Sequence, residues 1–137
     1  MRYLLDTNIL SEARKPSGDG RVKQWLREQT PIDLAISVIT VLEFDIGIRR
    51  LRRRESTAAD RLQSWLDKHV IGGFRGRILP VDLACVERIA PIHVPDPAPE
   101  HDAIIAGTAL AHGLVVVTRN TADFYRTGVP LVNPWEA

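Results

Sequence analysis

Four carboxylates lie scattered along the chain at places where an apolar run gives way to polar residues: Asp6 after the run ending Leu4-Leu5, Glu43 in TVLE, Asp102 at the head of DAIIAGTALAHG, and Asp123 in TRNTADF just beyond VVVT. Each has a plain structural explanation. Asp6 in D-T-N suits an Asx turn or a helix cap. Glu43 sits three residues after Thr40, the spacing of a capping box. Asp102 is a favourable acid at a positive helix end, and Asp123 is an ordinary loop acid. Each also falls just past the carboxyl end of an apolar strand or at the start of a helix that follows one. If the strands form one parallel sheet, all four approach the same rim, where such sheets bind their ligands.

Converging carboxylates repel one another unless they are protonated or neutralised by a cation, and an oxygen-only donor set suits Mg²⁺, or Mn²⁺, better than zinc. The natural use of such a site is phosphodiester hydrolysis, in which a metal orients and deprotonates water and stabilises charge on the phosphoryl oxygens. Competing chemistries lack their parts. His69, His93, His101 and His112 make no HExxH or Cys/His zinc pattern, and neither a GxSxG elbow nor a Walker loop occurs. An aspartyl-phosphate phosphatase would want a second aspartate two positions after Asp6, where Asn8 stands.

The elements that must position these acids follow from periodicity and punctuation. Arg2 to Leu5 reads as a buried strand, followed by a short helix that gives way to the loop Lys15 to Gly20. A helix is expected over Arg21 to Gln29, with Val22, Trp25 and Leu26 on one face and Pro31 as its stop. DLAIS, residues 33 to 37, is the next strand. Thr40 then opens a helix that carries Val41, Phe44, Ile48 and Leu51 at helical spacing. A second helix over Ser56 to Lys68 aligns Ala59, Leu62, Leu66 and Val70 and pairs with the first. Strand RILPV follows a glycine-rich turn, and Asp82 caps a short helix through Ala90. The proline-rich stretch 91 to 99 is expected as loop. A helix then runs from Asp102 to His112 and closes on Gly113, followed by the buried strand LVVVT, a loop with a short helix, and a last strand Val129 to Val132. Strands alternating with helices imply a three-layer α/β fold with a mainly parallel central sheet.

Bulk properties are consistent with that architecture. A chain of 137 residues with 45% apolar and 26% charged composition suits one domain around one core, so residues 1–137 are read as a single domain. The lone Cys85 excludes an intrachain disulfide and reads as a buried, inert thiol. The N-terminal sequence MRYLLDTNIL has neither a signal-peptide core nor room for a membrane span, which implies cytoplasmic residence and no membrane partner. The formal net charge of +1 conceals the basic run RRLRRR at 49 to 54 and Arg75 and Arg77 in GGFRGR, a footprint for a polyanion or a solvated helix face. Trp25, Trp65 and Trp135 are read chiefly as packing residues.

Taken together, LLDTNILSE at 4 to 12, ISVITVLEFDIG at 36 to 47, HDAIIAGTALAHGL at 101 to 114, VVTRNTADF at 116 to 124 and VPLVNPW at 129 to 135 resemble the PIN-domain ribonucleases, specifically the VapC-type toxins of bacterial type II toxin–antitoxin pairs, with a FitB-like character. The resemblance spans nearly the whole chain and keeps the family order. It implies an acidic metal pocket of Asp6, Glu43, Asp102 and Asp123, with Thr7, Asn8, Thr118 and Asn120 in support. Asn120 stands where FitB-like members can carry aspartate, which argues against a full second-metal site and leaves Asp123 as the last acid. The resemblance also implies Mg²⁺-dependent cleavage of RNA, a cognate antitoxin, a toxin homodimer within a toxin–antitoxin hetero-oligomer, and DNA contact through the antitoxin. The alternative is a catalytically weak PIN-like module whose acidic groove accepts an arginine-rich partner peptide.

Overall fold

The computed structural model describes residues 1–136. Its elements are β1 (Tyr3–Leu5), α1 (Thr7–Arg14), α2 (Gly20–Glu28), β2 (Leu34–Ser37), α3 (Val38–Arg52), α4 (Ser56–Trp65), β3 (Ile78–Leu79), α5 (Leu83–Ile89), α6 (Glu100–His112), β4 (Val115–Val117), α7 (Thr121–Phe124) and β5 (Leu131–Val132). The strands form one sheet in the order β3-β2-β1-β4-β5, and every neighbouring pair is parallel. This is the expected α/β architecture.

Side chains on successive strand residues point to opposite faces, and here both faces are covered. Leu5, Leu34, Ile36 and Val117 join Ile9, Val22, Ile48, Ala59, Leu66 and Trp135 in one core. Leu4, Ala35, Leu79 and Val116 join Ile105, Ala106, Ala109 and Phe124 in the other. That is why the strands read as continuous apolar runs without alternation. Strand order reverses at β1, which lies between β2 and β4, so the crevice beyond the carboxyl ends of β1 and β4 is the switch point of the sheet.

Several boundaries depart from the sequence reading, and each departure has a local cause. The third helix does not begin at Thr40. Ser37 is its N-cap, accepting the Ile39 amide at 3.1 Å, and the helix starts at Val38. The capping box of Thr40 and Glu43 is therefore not formed, and the Glu43 carboxylate is free for other partners. The helix ending near Pro31 stops at Glu28, and Pro31 opens a separate 3-10 turn, Pro31–Asp33. The fourth helix continues past Trp65 as a π-helical turn over Leu66–Ile71, which keeps Leu66 and Val70 buried beside Ala59. RILPV forms only the two-residue strand β3, and the start of the 91 to 99 stretch belongs to a 3-10 turn, Ala90–His93. The sixth helix begins at Glu100, which places Asp102 within its first turn. Gly113, at φ +66°, closes that helix as expected.

Helix α6 is buried on more than the side that faces the sheet. Ala103, Ile105, Ala106, Gly107, Thr108 and Ala109 are all buried, because α5 covers the side turned away from the sheet. The small residues set the separation: a Cβ on Gly107 would stand 2.9 Å from the Ile89 Cα. Cys85 is fully buried, and the three tryptophans pack within the chain, Trp25 edge-on to Tyr3, Trp65 edge-on to Phe44 and Trp135 in the first core.

Candidate active site

Asp6 follows β1 directly, is 5% exposed, and is held from three sides. Its Oδ1 accepts the Thr7 amide at 2.7 Å, making it the N-cap of α1. Its Oδ2 accepts the Thr118 hydroxyl at 2.7 Å and the Asn8 side-chain amide at 3.3 Å. The cap explanation and the site explanation thus hold together, since different oxygens serve each. Thr118 directly follows β4 at the switch point, and its hydroxyl oxygen also accepts the Asn120 backbone amide at 3.0 Å. The hydrogen bond that ties Asn120 to Thr118 is made by its main chain. The Asn8 amide oxygen accepts the Arg119 amide at 3.4 Å, so α1 and the β4 exit are fastened to each other across Asp6.

Glu43 faces the same crevice from α3. The Thr7 hydroxyl donates to its Oε1 at 3.1 Å and lies 3.0 Å from the Thr40 hydroxyl, which is completely buried. With the Thr7 proton directed at the carboxylate, Thr40 is the donor of that second pair. His101 Nδ1 stands 3.5 Å from the same Glu43 oxygen. Thr40 and His101 are the site residues that sequence reasoning misses. The spacing of Thr40 points to a cap, and its one contrary signal is a hydroxyl in an otherwise apolar helical start. His101 stands out in sequence only as a polar neighbour of Asp102.

Electrostatics tie the four acids together. Burial is the largest influence on Asp102 and lifts its carboxyl from 3.8 to about 6; the charges of Asp6, Asp123 and Glu43 push the same way, and His101 opposes them. Burial also raises Asp6, against the Thr118 and Thr7 hydrogen bonds, and the charge of Asp123 adds to the rise. Glu43 is raised by burial and by Asp6, while Thr7 and His101 pull it down. Asp123 is exposed, in α7 just beyond the β4 exit, and acts on Asp6 and Asp102 through its charge. The four acids therefore act on one another at one edge of the sheet. They do not form a finished cage: among the described residues no group of three or more His, Cys, Asp or Glu side chains is arranged to hold a metal ion. The donor chemistry, all oxygen and under mutual repulsion, fits a hard divalent cation; the spacing requires the side chains to close around it.

Beside Glu43 a cavity of about 380 Å³ opens between α1, α3 and α4, with Phe44, Leu51 and Leu62 on its walls and Arg14, Lys15 and Arg54 at its rim. Of the basic run, Arg49 pairs with Asp45 and Arg52 with Asp60. No helix among the described residues is long and apolar enough to cross a membrane.

A parallel sheet in this order, with acids gathered at its switch point from β1, α3, α6 and the β4 exit, defines a PIN-type fold, and residues 3–130 match the PIN domain family model. The chain is 36% identical over 138 residues to toxin FitB of Neisseria gonorrhoeae, covering 96% of this chain and 97% of that one. It is 33% identical over 138 residues to the VapC ribonuclease Y4jK of Sinorhizobium fredii, covering 97% of each. In three dimensions it is similar to a chain in the structure of FitAB bound to an IR36 DNA fragment, with TM-score 0.87, 33% identity, and 97% of this chain and 95% of that one covered. The chain belongs to the PIN-domain family as a VapC/FitB-like toxin of a type II toxin–antitoxin system.

Proposed function

We propose that the chain is a Mg²⁺-dependent endoribonuclease toxin, active as one domain over residues 1–137 and neutralised by a cognate antitoxin. The observation that carries this reading is the mutual electrostatic pressure on Asp102, whose carboxyl is pushed to about 6 by burial and by three other acids at the same sheet edge. A site of this kind is costly unless something positive enters it. The relative named a ribonuclease supports the choice of reaction.

Asp6, Asp102 and Glu43 would hold the cation directly or through water, with Asp123 and Asn120 placing the attacking water or a weaker second ion. A divalent ion bound there supplies Lewis-acid charge and lowers the pKa of a bound water. The remaining work falls to the chain. Thr118 and Asn8 fix Oδ2 of Asp6. Thr7, backed by Thr40, fixes Glu43, so both carboxylates enter the reaction with set orientations. Exposed arginines would hold the RNA backbone.

Partners follow from the same reading. The groove beside Glu43 suits an antitoxin segment with apolar side chains, and its closeness to the acids would let that segment block them. Val38 and Leu42 on α3 and Leu83 and Val86 on α5 are exposed apolar pairs one turn apart, which suit a homodimer. DNA contact would come through the antitoxin in a larger toxin–antitoxin assembly, a reading supported by the similarity to FitAB bound to a DNA fragment. Cytoplasmic residence belongs to the same proposal.

A second reading has an observation of its own in its favour. A catalytically weak PIN-like binding module needs only the fold, the groove and the acidic rim. It asks for no finished metal cage, and none is present among the described residues. Family membership by itself reaches no further than this reading. The test is cleavage of structured RNA by the purified chain. The enzyme reading expects fragments with Mg²⁺, none in chelator, and none from Asp102→Asn. Metal-independent silence of the wild-type chain, together with tight binding of an arginine-rich peptide, selects the binding module.

A further inference from the structure

A second cavity of about 380 Å³ lies away from the acids, on the flank where α5, α6 and the turn after α7 meet. Two arginines line it: Arg88 from the last turn of α5 and Arg126 from the 3-10 turn Tyr125–Thr127. Its walls are apolar, built from Pro91, Ile92, Pro95 and Leu110, and no acidic side chain lines it. The Arg126 guanidinium donates one bond, to the Asp96 carbonyl at 3.0 Å, which steadies it at the rim. Among the described residues, neither arginine pairs with a carboxylate. A guanidinium has five donors in a fork that matches phosphate, so most of this capacity is unused.

We propose that this cavity is a nucleotide subsite for the RNA strand, taking a phosphate on Arg88 and Arg126 and a base against the proline, isoleucine and leucine wall. The inference rests on the ribonuclease reading and deepens it. Its place in the fold suits the role. Leu110 lies eight residues beyond Asp102 on α6, about 12 Å at the helical rise, and Arg126 lies three residues beyond Asp123. A strand held at the acids can therefore reach the subsite within a few nucleotides. Two cations facing an apolar wall, with no acid to answer them, favour an anion with a flat apolar body. The groove beside Glu43 is separate and remains available to the antitoxin.

The test measures binding of a short fluorescein-labelled single-stranded RNA to the full chain in chelator, where no cleavage occurs, across a range of salt. Wild type is compared with Arg88→Gln, Arg126→Gln, the double variant, and the distant exposed Arg27→Gln. Losing the one phosphate contact in the double variant is expected to reduce the slope of log affinity against log salt by about 0.7, with each single variant giving part of that reduction. That corresponds to a loss of roughly 5-fold at about 0.1 M salt that fades toward 1 M. Arg27→Gln leaves the slope unchanged, and Arg126→Lys, which keeps the charge, retains most of it. Melting curves establish that the variants are folded; Arg88 makes no side-chain hydrogen bond among the described residues, so its variant alone suffices. An unchanged slope in the folded variants overturns the subsite, as does wild type failing to bind RNA, or a polyglutamate peptide binding with the same arginine dependence in place of RNA. Arginine-dependent binding without Mg²⁺-dependent cleavage upholds the subsite and removes the enzyme reading, so the two failures are distinguishable.

Discussion

Asp102→Asn is expected to stabilise the metal-free chain at neutral pH. In the native state the Asp102 carboxyl lies at about 6 instead of 3.8. Its folded-state value is raised, so the native form holds this proton more tightly than the unfolded chain does. Stability from this group is fully present below pH 3.8 and is lost as pH rises through about 6. Converted at about 1.4 kcal/mol per pH unit, the displacement is worth about 3 kcal/mol. Asp102 is part exposed, and solvent screening reduces the effect to about 1–2 kcal/mol. Asparagine removes the charge at nearly constant volume, and no hydrogen bond to the Asp102 side chain is present among the described residues to be lost. Urea unfolding in chelator should therefore find the variant about 1–2 kcal/mol more stable than wild type at about pH 7.5 and nearly equal to it at about pH 4. Adding Mg²⁺ should stabilise wild type and close the gap. Equal stabilities at both pH values, or a less stable variant at about pH 7.5, would refute the claim that the acids press on one another.

Three further substitutions probe how the site is held. Gly107→Ala drives a methyl into Ile89 where α5 crosses α6, and a loss of about 1–3 kcal/mol is expected by urea or thermal unfolding. Ser37→Ala removes the actual cap of α3 and should cost about 1 kcal/mol; no loss would return the cap to Thr40. Thr118→Val deletes the donor to Asp6 and the acceptor for the Asn120 amide. It should cost about 1–3 kcal/mol and weaken Mn²⁺ binding by calorimetry.

Much of the architecture was legible because parallel strands covered on both faces read as short apolar runs, and LVVVT and LAIS are unmistakable in that respect. The rim that the acids occupy follows from those runs alone. What the sequence misplaced were matters of local competition. Thr40 and Glu43 have the spacing of a capping box, yet Ser37, three residues earlier, wins the cap because the chain turns into helix directly at the end of β2. That outcome frees Glu43 for Thr7 and His101, a pairing across 36 residues or more that no local pattern encodes. The second buried face of α6 was likewise hidden, because alanine and glycine carry little hydrophobic signal while they permit the close approach of α5. The absence of a three-ligand cage among the described residues lies beyond sequence altogether, since a spacing along the chain says nothing of the last few ångströms between carboxylates.

The most direct measurement is an NMR titration of the Asp102 side-chain carboxyl, followed in chelator and again with Mg²⁺. A midpoint of about 6 without metal, moving well down when Mg²⁺ is added, is the predicted result. An ordinary carboxylate midpoint that ignores Mg²⁺ would contradict the account, because the acids would then neither crowd one another nor share a cation.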